Sequence, residues 1–150
     1  MRPSKDDYYL IIAKAVCLRS TCLRRRYGAV IVNNHKGFDM VVATGYNGSP
    51  RGAVNCCDKK TCLRQELNVP SGERYELCES CHAEANACQQ AGDKAIRATL
   101  YLYGEEIDGT PIGKVAPCLA CQKMIKNSGI GRIVTSTNKR LEFEYASLIS

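Results

Sequence analysis

Two short motifs constrain the fold of this chain more than any other feature, because both carry side chains that bind metals. The first is His82-Ala83-Glu84, and the second is Pro117-Cys118-Leu119-Ala120-Cys121. Two thiolates and one imidazole form a three-ligand zinc site with a fourth position open for water, which is typical of a catalytic rather than a structural zinc. The chain must therefore bring His82 to residues 118–121, with Glu84 beside them.

The cysteine content supports a metal site. The chain has ten cysteines but only two histidines, so a zinc ion would be held mainly by sulfur. The sequence begins with no basic segment followed by an apolar one, and no apolar run is long enough to span a bilayer. We therefore expect a cytoplasmic protein without a membrane partner, whose cysteines bind metal rather than form disulfides. The length of 150 residues predicts one domain, residues 1–150.

The spacing of apolar residues predicts alternating helices and strands. Ser4 is a predicted helix N-cap with Asp7 three residues later, and this helix is expected to end near Arg19. The next predicted elements are a hairpin of strands over 28–32 and 40–44, a helix over 81–92, a strand over 98–103, a helix over 117–128, a strand over 131–135 and a final helix over 141–149. This order favours a partly parallel sheet covered by helices.

Two irregular segments are candidates for ligand binding or metal binding. Residues 45–52 contain three glycines, an asparagine and a proline, so they form either an ordinary turn or a ligand loop in which Asn47 offers a donor and an acceptor. Residues 53–79, which we call the cysteine-rich insert, show little periodicity and contain Cys56, Cys57, Cys62 and Cys78. A loop this long needs a function or a staple, and its thiols favour a staple.

Glu84 is the predicted proton carrier of the site. Zinc lowers the pKa of a bound water to near neutrality, and a neighbouring carboxylate can move the proton to a substrate. His82 and Glu84 are two residues apart, so a regular helix would point them to different sides. Both can face one pocket only if they lie in the first turn of a helix whose end borders the pocket. Cys118 and Cys121, three residues apart, are likewise expected in a first turn, where the helix N-terminus favours thiolates.

Together these stretches resemble the cytidine deaminase superfamily, and most closely its deoxycytidylate deaminase branch. The resemblance covers residues 19–134, and besides the two motifs it rests on residues 19–22, 28–32, 45–52, 62–64, 70–73 and 76–78. It implies a three-layer α/β/α fold with a five-stranded mixed sheet. It also implies a zinc-dependent hydrolase that deaminates dCMP to dUMP and ammonia, which feeds thymidylate synthesis.

The resemblance further implies roles for individual residues. His82, Cys118 and Cys121 would bind the catalytic zinc and Glu84 would be the proton donor, while the nucleotide sugar would contact Asn47, with Gly48 and Ser49 in the same loop. Several relatives carry a second, structural zinc, whose candidate ligands here are Cys22, Cys56 or Cys57, Cys62 and Cys78. A homo-oligomer and regulation by a nucleoside triphosphate effector are also implied.

Recognition of the rest of the substrate is open at this point. Arg24, Arg26 and Arg51 are candidates for binding the phosphate. A tyrosine that often follows the last strand in relatives is missing from residues 136–140, where Phe143 or Tyr145 could replace it. Deamination of dCTP, of deoxycytidine or of an adenosine in RNA are alternatives within the same chemistry.

An alternative of a different class is a non-catalytic zinc module that binds nucleic acid. The pairs Cys78/Cys81 and Cys118/Cys121 would then hold the zinc, but 36 residues separate the pairs, well beyond the usual spacing of about 15 to 20. This interpretation also leaves Glu84 without a role. The chain has no extended basic surface with interleaved aromatic residues, so the sequence argues against a nucleic-acid partner.

Overall fold

A computed structural model describes the chain over residues 1–137 and 140–143. Its helices and strands are, in chain order, α1 (Lys5–Cys17), β1 (Arg25–His35), β2 (Phe38–Tyr46), α2 (Cys56–Lys59), α3 (Leu63–Glu66), α4 (Ala83–Ala91), β3 (Thr99–Glu106), α5 (Leu119–Asn127), β4 (Arg132–Thr135) and β5 (Arg140–Glu142). Two short 3-10 helices, Tyr75–Leu77 and Gly92–Ala95, lie in the connections. Within the described ranges, no helix has both the length and the apolar character needed to cross a membrane.

The strands of the described chain form one five-stranded sheet in the order β2-β1-β3-β4-β5. Strand β1 pairs antiparallel with β2 and β3, β3 pairs parallel with β4, and β4 pairs antiparallel with β5. The parallel pair requires a crossover connection, which the segment containing α5 provides. The predicted mixed sheet is therefore confirmed.

The sheet separates two apolar cores, because successive side chains of a strand point to opposite faces. Val30 of β1 belongs to the core shared with α1, which includes Ala13. Its neighbour Ile31 belongs to the core beneath α4 and α5, which includes Ala87 and Ile125. Helix α1 thus covers one face and α4 with α5 the other, so the expected three-layer α/β/α fold is confirmed.

Helix α4 begins directly against β2, and a glycine permits this close contact. A Cβ atom at Gly45 would lie 2.4 Å from the carbonyl oxygen of Ala83 and 2.5 Å from the backbone nitrogen of Ala87. Gly48 and Cys81 also exchange two backbone hydrogen bonds, of 3.2 and 2.7 Å. Strand β2 and the loop after it therefore fix the position at which α4 starts.

Most predicted elements are confirmed, with shifted ends. The Ser4 hydroxyl accepts a hydrogen bond from the backbone N–H of Asp7 at 3.1 Å, although α1 ends at Cys17 rather than near residue 19. The predicted final helix is wrong where the structure describes it. Leu141 lies in β5 opposite Ile133, because the edge of β4 offers backbone hydrogen-bond partners to an extended segment. Most of that predicted helix, Tyr145 included, lies outside the described residues.

Candidate active site

Two helix N-termini bring the metal-binding motifs together. His82 is the N-cap residue of α4, and Cys118 is the N-cap residue of α5. Nδ1 of His82 lies 3.2 Å from Sγ of Cys121 and 3.8 Å from Sγ of Cys118. The ligand atoms of these three side chains all lie within 4.8 Å of one another, and no other such group occurs in residues 1–137 and 140–143.

The three side chains fit a zinc ion. Tetrahedral nitrogen and sulfur ligands at about 2.0 and 2.3 Å from zinc are about 3.6 Å apart, and the N–S distances of 3.2 and 3.8 Å bracket this value. Burial lowers the pKa of His82, so its imidazole is neutral at pH 7 and keeps a lone pair for a metal. Burial raises the pKa of Cys121, so its thiolate requires the positive charge that zinc would supply.

Glu84 is buried beside this cluster. It lies in the first turn of α4, only 5% of the residue is exposed, and burial raises its pKa to about 7. A carboxyl group that titrates near neutral pH can take up and release a proton within one reaction. The predicted arrangement, in which His82 and Glu84 open a helix at the wall of a pocket, is confirmed.

A cavity of about 170 Å³ opens next to these residues. His82, Glu84 and Cys118 form one part of its wall, and Tyr27 of β1 forms another. The cysteine-rich insert contributes several further lining residues. The cavity therefore places a neutral imidazole, a buried carboxyl group and an aromatic side chain around the same space.

Asn47 also lines the cavity, but most of its side chain is used within the protein. Its Oδ1 accepts hydrogen bonds from Oγ of Ser20 at 2.6 Å and from the backbone N–H of Tyr27 at 2.9 Å. Its Nδ2 donates to the carbonyl oxygen of Arg25 at 2.9 Å. One amide hydrogen remains for a ligand. Asn47 thus joins the loop after β2 to β1 as well as facing the cavity.

The predicted phosphate-binding arginines lie in three different places. Arg24 is half-buried and lines the cavity. Arg26 forms an ion pair with the buried Glu105 at 3.1 Å, because the two residues are opposite each other in the β1–β3 register. Arg51 lines a separate surface depression beside α4, together with Gly48 and Ser49. Arg24 is therefore the one of the three that the structure places near His82.

The thiols of the predicted second zinc site line the cavity as well. These lining residues are Cys22, Cys56, Cys62 and Cys78. The pKa of Cys56 is raised, chiefly by burial and then by electrostatic interaction with the carboxylate of Glu79 and the neighbouring cysteines. Cys57 is exposed instead, with its Sγ 3.8 Å from a carboxylate oxygen of Asp58. In the described part of the chain, these thiols do not form a group as close as the one around His82.

Arg64 and Tyr75 are cavity residues of the insert that the sequence did not single out. Arg64 in α3 is only 6% exposed, and Tyr75 begins the 3-10 helix that follows. The absence of helical or strand periodicity in the insert hid both residues. The available signal was their position next to cysteines, since Arg64 follows Cys62 by two residues and Tyr75 precedes Cys78 by three.

Comparison with known proteins identifies the family. Residues 3–137 match the family model described as the cytidine and deoxycytidylate deaminase zinc-binding region. The chain belongs to this family. The family match and the His82–Cys118–Cys121 cluster both support zinc as the cofactor.

Several curated relatives of this deaminase-family chain are named deoxycytidylate deaminase. The protein of Schizosaccharomyces pombe is 35% identical over 148 residues, which cover 99% of this chain and 42% of the relative. The protein of Mycobacterium phage D29 is 40% identical over 141 residues, which cover 89% of this chain and 94% of the relative. The chain thus spans about two fifths of the first relative's length. Among solved structures, Acinetobacter baumannii RibD, form 2, has a TM-score of 0.48 at 19% identity and covers 87% of this chain and 27% of that one.

Proposed function

We propose that this chain is a single deaminase domain that catalyses the zinc-dependent hydrolysis of dCMP to dUMP and ammonia. The observation that carries the proposal is the buried Glu84 beside the His82–Cys118–Cys121 cluster, in the wall of one cavity. The relatives named deoxycytidylate deaminase support a cytosine nucleotide as the substrate.

The side chains of the cavity divide the reaction between them. His82, Cys118 and Cys121 would hold the zinc, which when bound supplies a water activated for attack at neutral pH. Glu84 takes a proton from the attacking water while a C–O bond forms at the amino-bearing carbon of the pyrimidine. It passes this proton to the adjacent ring nitrogen and then carries the remaining proton of the added hydroxyl group to the amino group, so that the carbonyl forms as the C–N bond breaks and ammonia leaves. A carboxyl pKa of about 7 suits Glu84 to both directions of transfer.

We assign phosphate recognition to Arg24. Arg24 lines the cavity, and within residues 1–137 and 140–143 no ion pair joins it to a carboxylate. Losing a hydrogen bond to a charged group costs about 1.5–3 kcal/mol. Arg24→Ala should therefore raise KM for dCMP about 10- to 100-fold and leave KM for deoxycytidine unchanged. Arg51→Ala, in the separate depression, is the matched control, and an equal effect of both substitutions would contradict the assignment.

We also propose a structural zinc held by Cys22, Cys56, Cys62 and Cys78. Their position around one cavity supports it, and the exposure of Cys57 favours Cys56 over its neighbour. One zinc on four thiolates would offset the entropy lost in ordering the irregular insert. Metal analysis should find two zinc ions per chain, one in Cys22→Ser, and two in the control Cys57→Ser. One zinc per chain that is unaffected by Cys22→Ser would contradict the proposal.

We further propose that the protein is a cytoplasmic homo-oligomer whose activity responds to a nucleoside triphosphate. In the described sheet, β2 is an edge strand and exposes 73% of Phe38 and 53% of Met40, which favours burial of this edge against a second copy. Light scattering should give a multiple of 16.5 kDa, and a monomer at micromolar concentration would contradict the assembly.

Initial rates measured with added dCTP or dTTP test the effector, and unchanged rates would exclude these two nucleotides.

Ammonia release from dCMP, dCTP and deoxycytidine tests the proposed function directly. We expect the highest kcat/KM for dCMP. Release from deoxycytidine alone would overturn the nucleotide substrate. No release from any of the three by zinc-loaded protein would contradict a cytosine deaminase and favour the non-catalytic zinc module.

A further inference from the structure

Arg64 is a buried cation that organises the cysteine-rich insert. Its Nη2 donates hydrogen bonds to the carbonyl oxygens of Pro70 at 3.0 Å and Glu73 at 2.7 Å. These two bonds tie residues 70–73 to α3, whereas Nε of the buried Arg64 has no hydrogen-bond partner among the described residues, so the guanidinium is only partly satisfied. The backbone that follows residues 70–73 therefore begins at a fixed position relative to α3.

Tyr75 follows this turn, and its ring lies between the side chains of Arg64 and His82. The guanidinium carbon of Arg64 lies 4.8 Å from the centre of the Tyr75 ring, within the range of a cation–π interaction. The Tyr75 ring then meets the His82 ring at a centroid distance of 5.7 Å and an interplanar angle of 88°, which is a favourable edge-to-face contact. The three side chains form a continuous row from the insert to the candidate zinc site.

His82 depends on packing to fix the orientation of its ring. Metal-binding histidines are usually oriented by a hydrogen bond from the second ring nitrogen to a carboxylate or a carbonyl group. Nδ1 of His82 faces the thiols of Cys118 and Cys121, and no acceptor among the described residues is hydrogen-bonded to its Nε2. The aromatic contact with Tyr75 therefore takes the place of that hydrogen bond.

We propose that Tyr75, held by Arg64, is a positioning residue for His82, and that the cysteine-rich insert thereby controls the geometry of the zinc site. This inference rests on the proposed function and deepens it, since it concerns the same site. Tyr75 itself is 44% exposed, so its removal should leave the fold intact. Loss of groups that orient a metal ligand typically lowers metal affinity or activity by about 10- to 100-fold.

The contact can be tested by NMR of the zinc-loaded protein, because the chain has only two histidines. Tyr75→Leu removes the ring current of Tyr75, so the imidazole ring resonances of His82 should shift. The resonances of His35, in the exposed turn, should stay in place. In the same variant, zinc affinity measured by competition with a chelator should fall about tenfold. For dCMP, kcat should fall about tenfold with little change in KM. Tyr75→Phe keeps the ring and should restore all three readouts.

Two further variants define what would overturn the inference. Arg64→Met should change the same readouts in the same direction, whereas Tyr8→Leu on α1 is the matched control and should change none. Unshifted His82 resonances with unchanged zinc affinity in Tyr75→Leu would refute the inference, as would a failure of Tyr75→Phe to restore them. If Arg64→Met does not fold, the two Tyr75 variants decide the question. The NMR and zinc readouts do not require turnover, so failure of the proposed function is distinguishable from failure of this inference.

Discussion

Replacing Gly45 by alanine should displace the start of α4 from β2. The new Cβ atom would lie 2.4 Å from the carbonyl oxygen of Ala83, whereas ordinary van der Waals contact begins at 3.4 Å. The helix must therefore move by about 1 Å, because its backbone cannot rotate away as a flexible side chain would. His82 and Glu84 lie at that end of the helix and would move with it.

The displacement should affect activity more than stability. Overpacking of a well-packed interior costs about 1–3 kcal/mol of the free energy of unfolding. A misplacement of about 1 Å in catalytic geometry lowers a rate by about 100-fold. We therefore expect Gly45→Ala to remain folded and to lose about 100-fold in kcat/KM, for dCMP and for deoxycytidine alike, since the phosphate is not involved.

Steady-state rates and urea unfolding measure the two effects. Gly113→Ala is the matched control, because a Cβ atom there meets nothing within 4 Å, and it should leave both quantities unchanged. Gly45→Ala with an activity within threefold of the parent chain would refute the argument that contact between β2 and α4 sets the site geometry.

Three other predictions concern stability. Burial would raise the pKa of Asp6, but hydrogen bonds from Tyr101 and Arg132 outweigh it and lower the pKa. Asp6→Asn should therefore lower the free energy of unfolding in urea by about 1 kcal/mol at pH 7. The difference should disappear as the pH falls below 3.8 and through the folded-state pKa, because the carboxylate is then protonated. Ser4→Ala removes the N-cap of α1 and should cost about 1 kcal/mol in the same assay. Zinc removal with a chelator should lower Tm by about 10 °C, and an unchanged Tm would contradict a metal bound to the folded state.

The central site could be predicted from the sequence because its geometry is local. If His82 and Glu84 face one pocket, their two-residue spacing places them at the start of a helix, and the spacing of Cys118 and Cys121 predicts the same for a second helix. The structure confirms both helix starts, with His82 and Cys118 as the N-cap residues and with Glu84 and Cys121 in the first turns. Bringing the two helix ends together needed only the assumption that one metal joins them.

Features that depend on long-range register could not be predicted in this way. Arg26 is opposite Glu105 only because β1 and β3 pair in one particular register, which no local pattern reveals. Leu141 becomes a strand residue because β4 has a free edge beside it. The row from Arg64 through Tyr75 to His82 depends on how an irregular segment folds back, and such segments carry no periodic signal.

The most direct test of the account is the activity of Glu84→Gln measured together with its zinc content. The substitution preserves the size of the buried side chain and removes its ability to carry a proton. We predict that the variant keeps the zinc content of the parent chain and that its rate of ammonia release from dCMP falls by about 100- to 10,000-fold. A zinc-loaded variant that keeps more than about a tenth of the parent rate would contradict the role of Glu84 as the proton carrier.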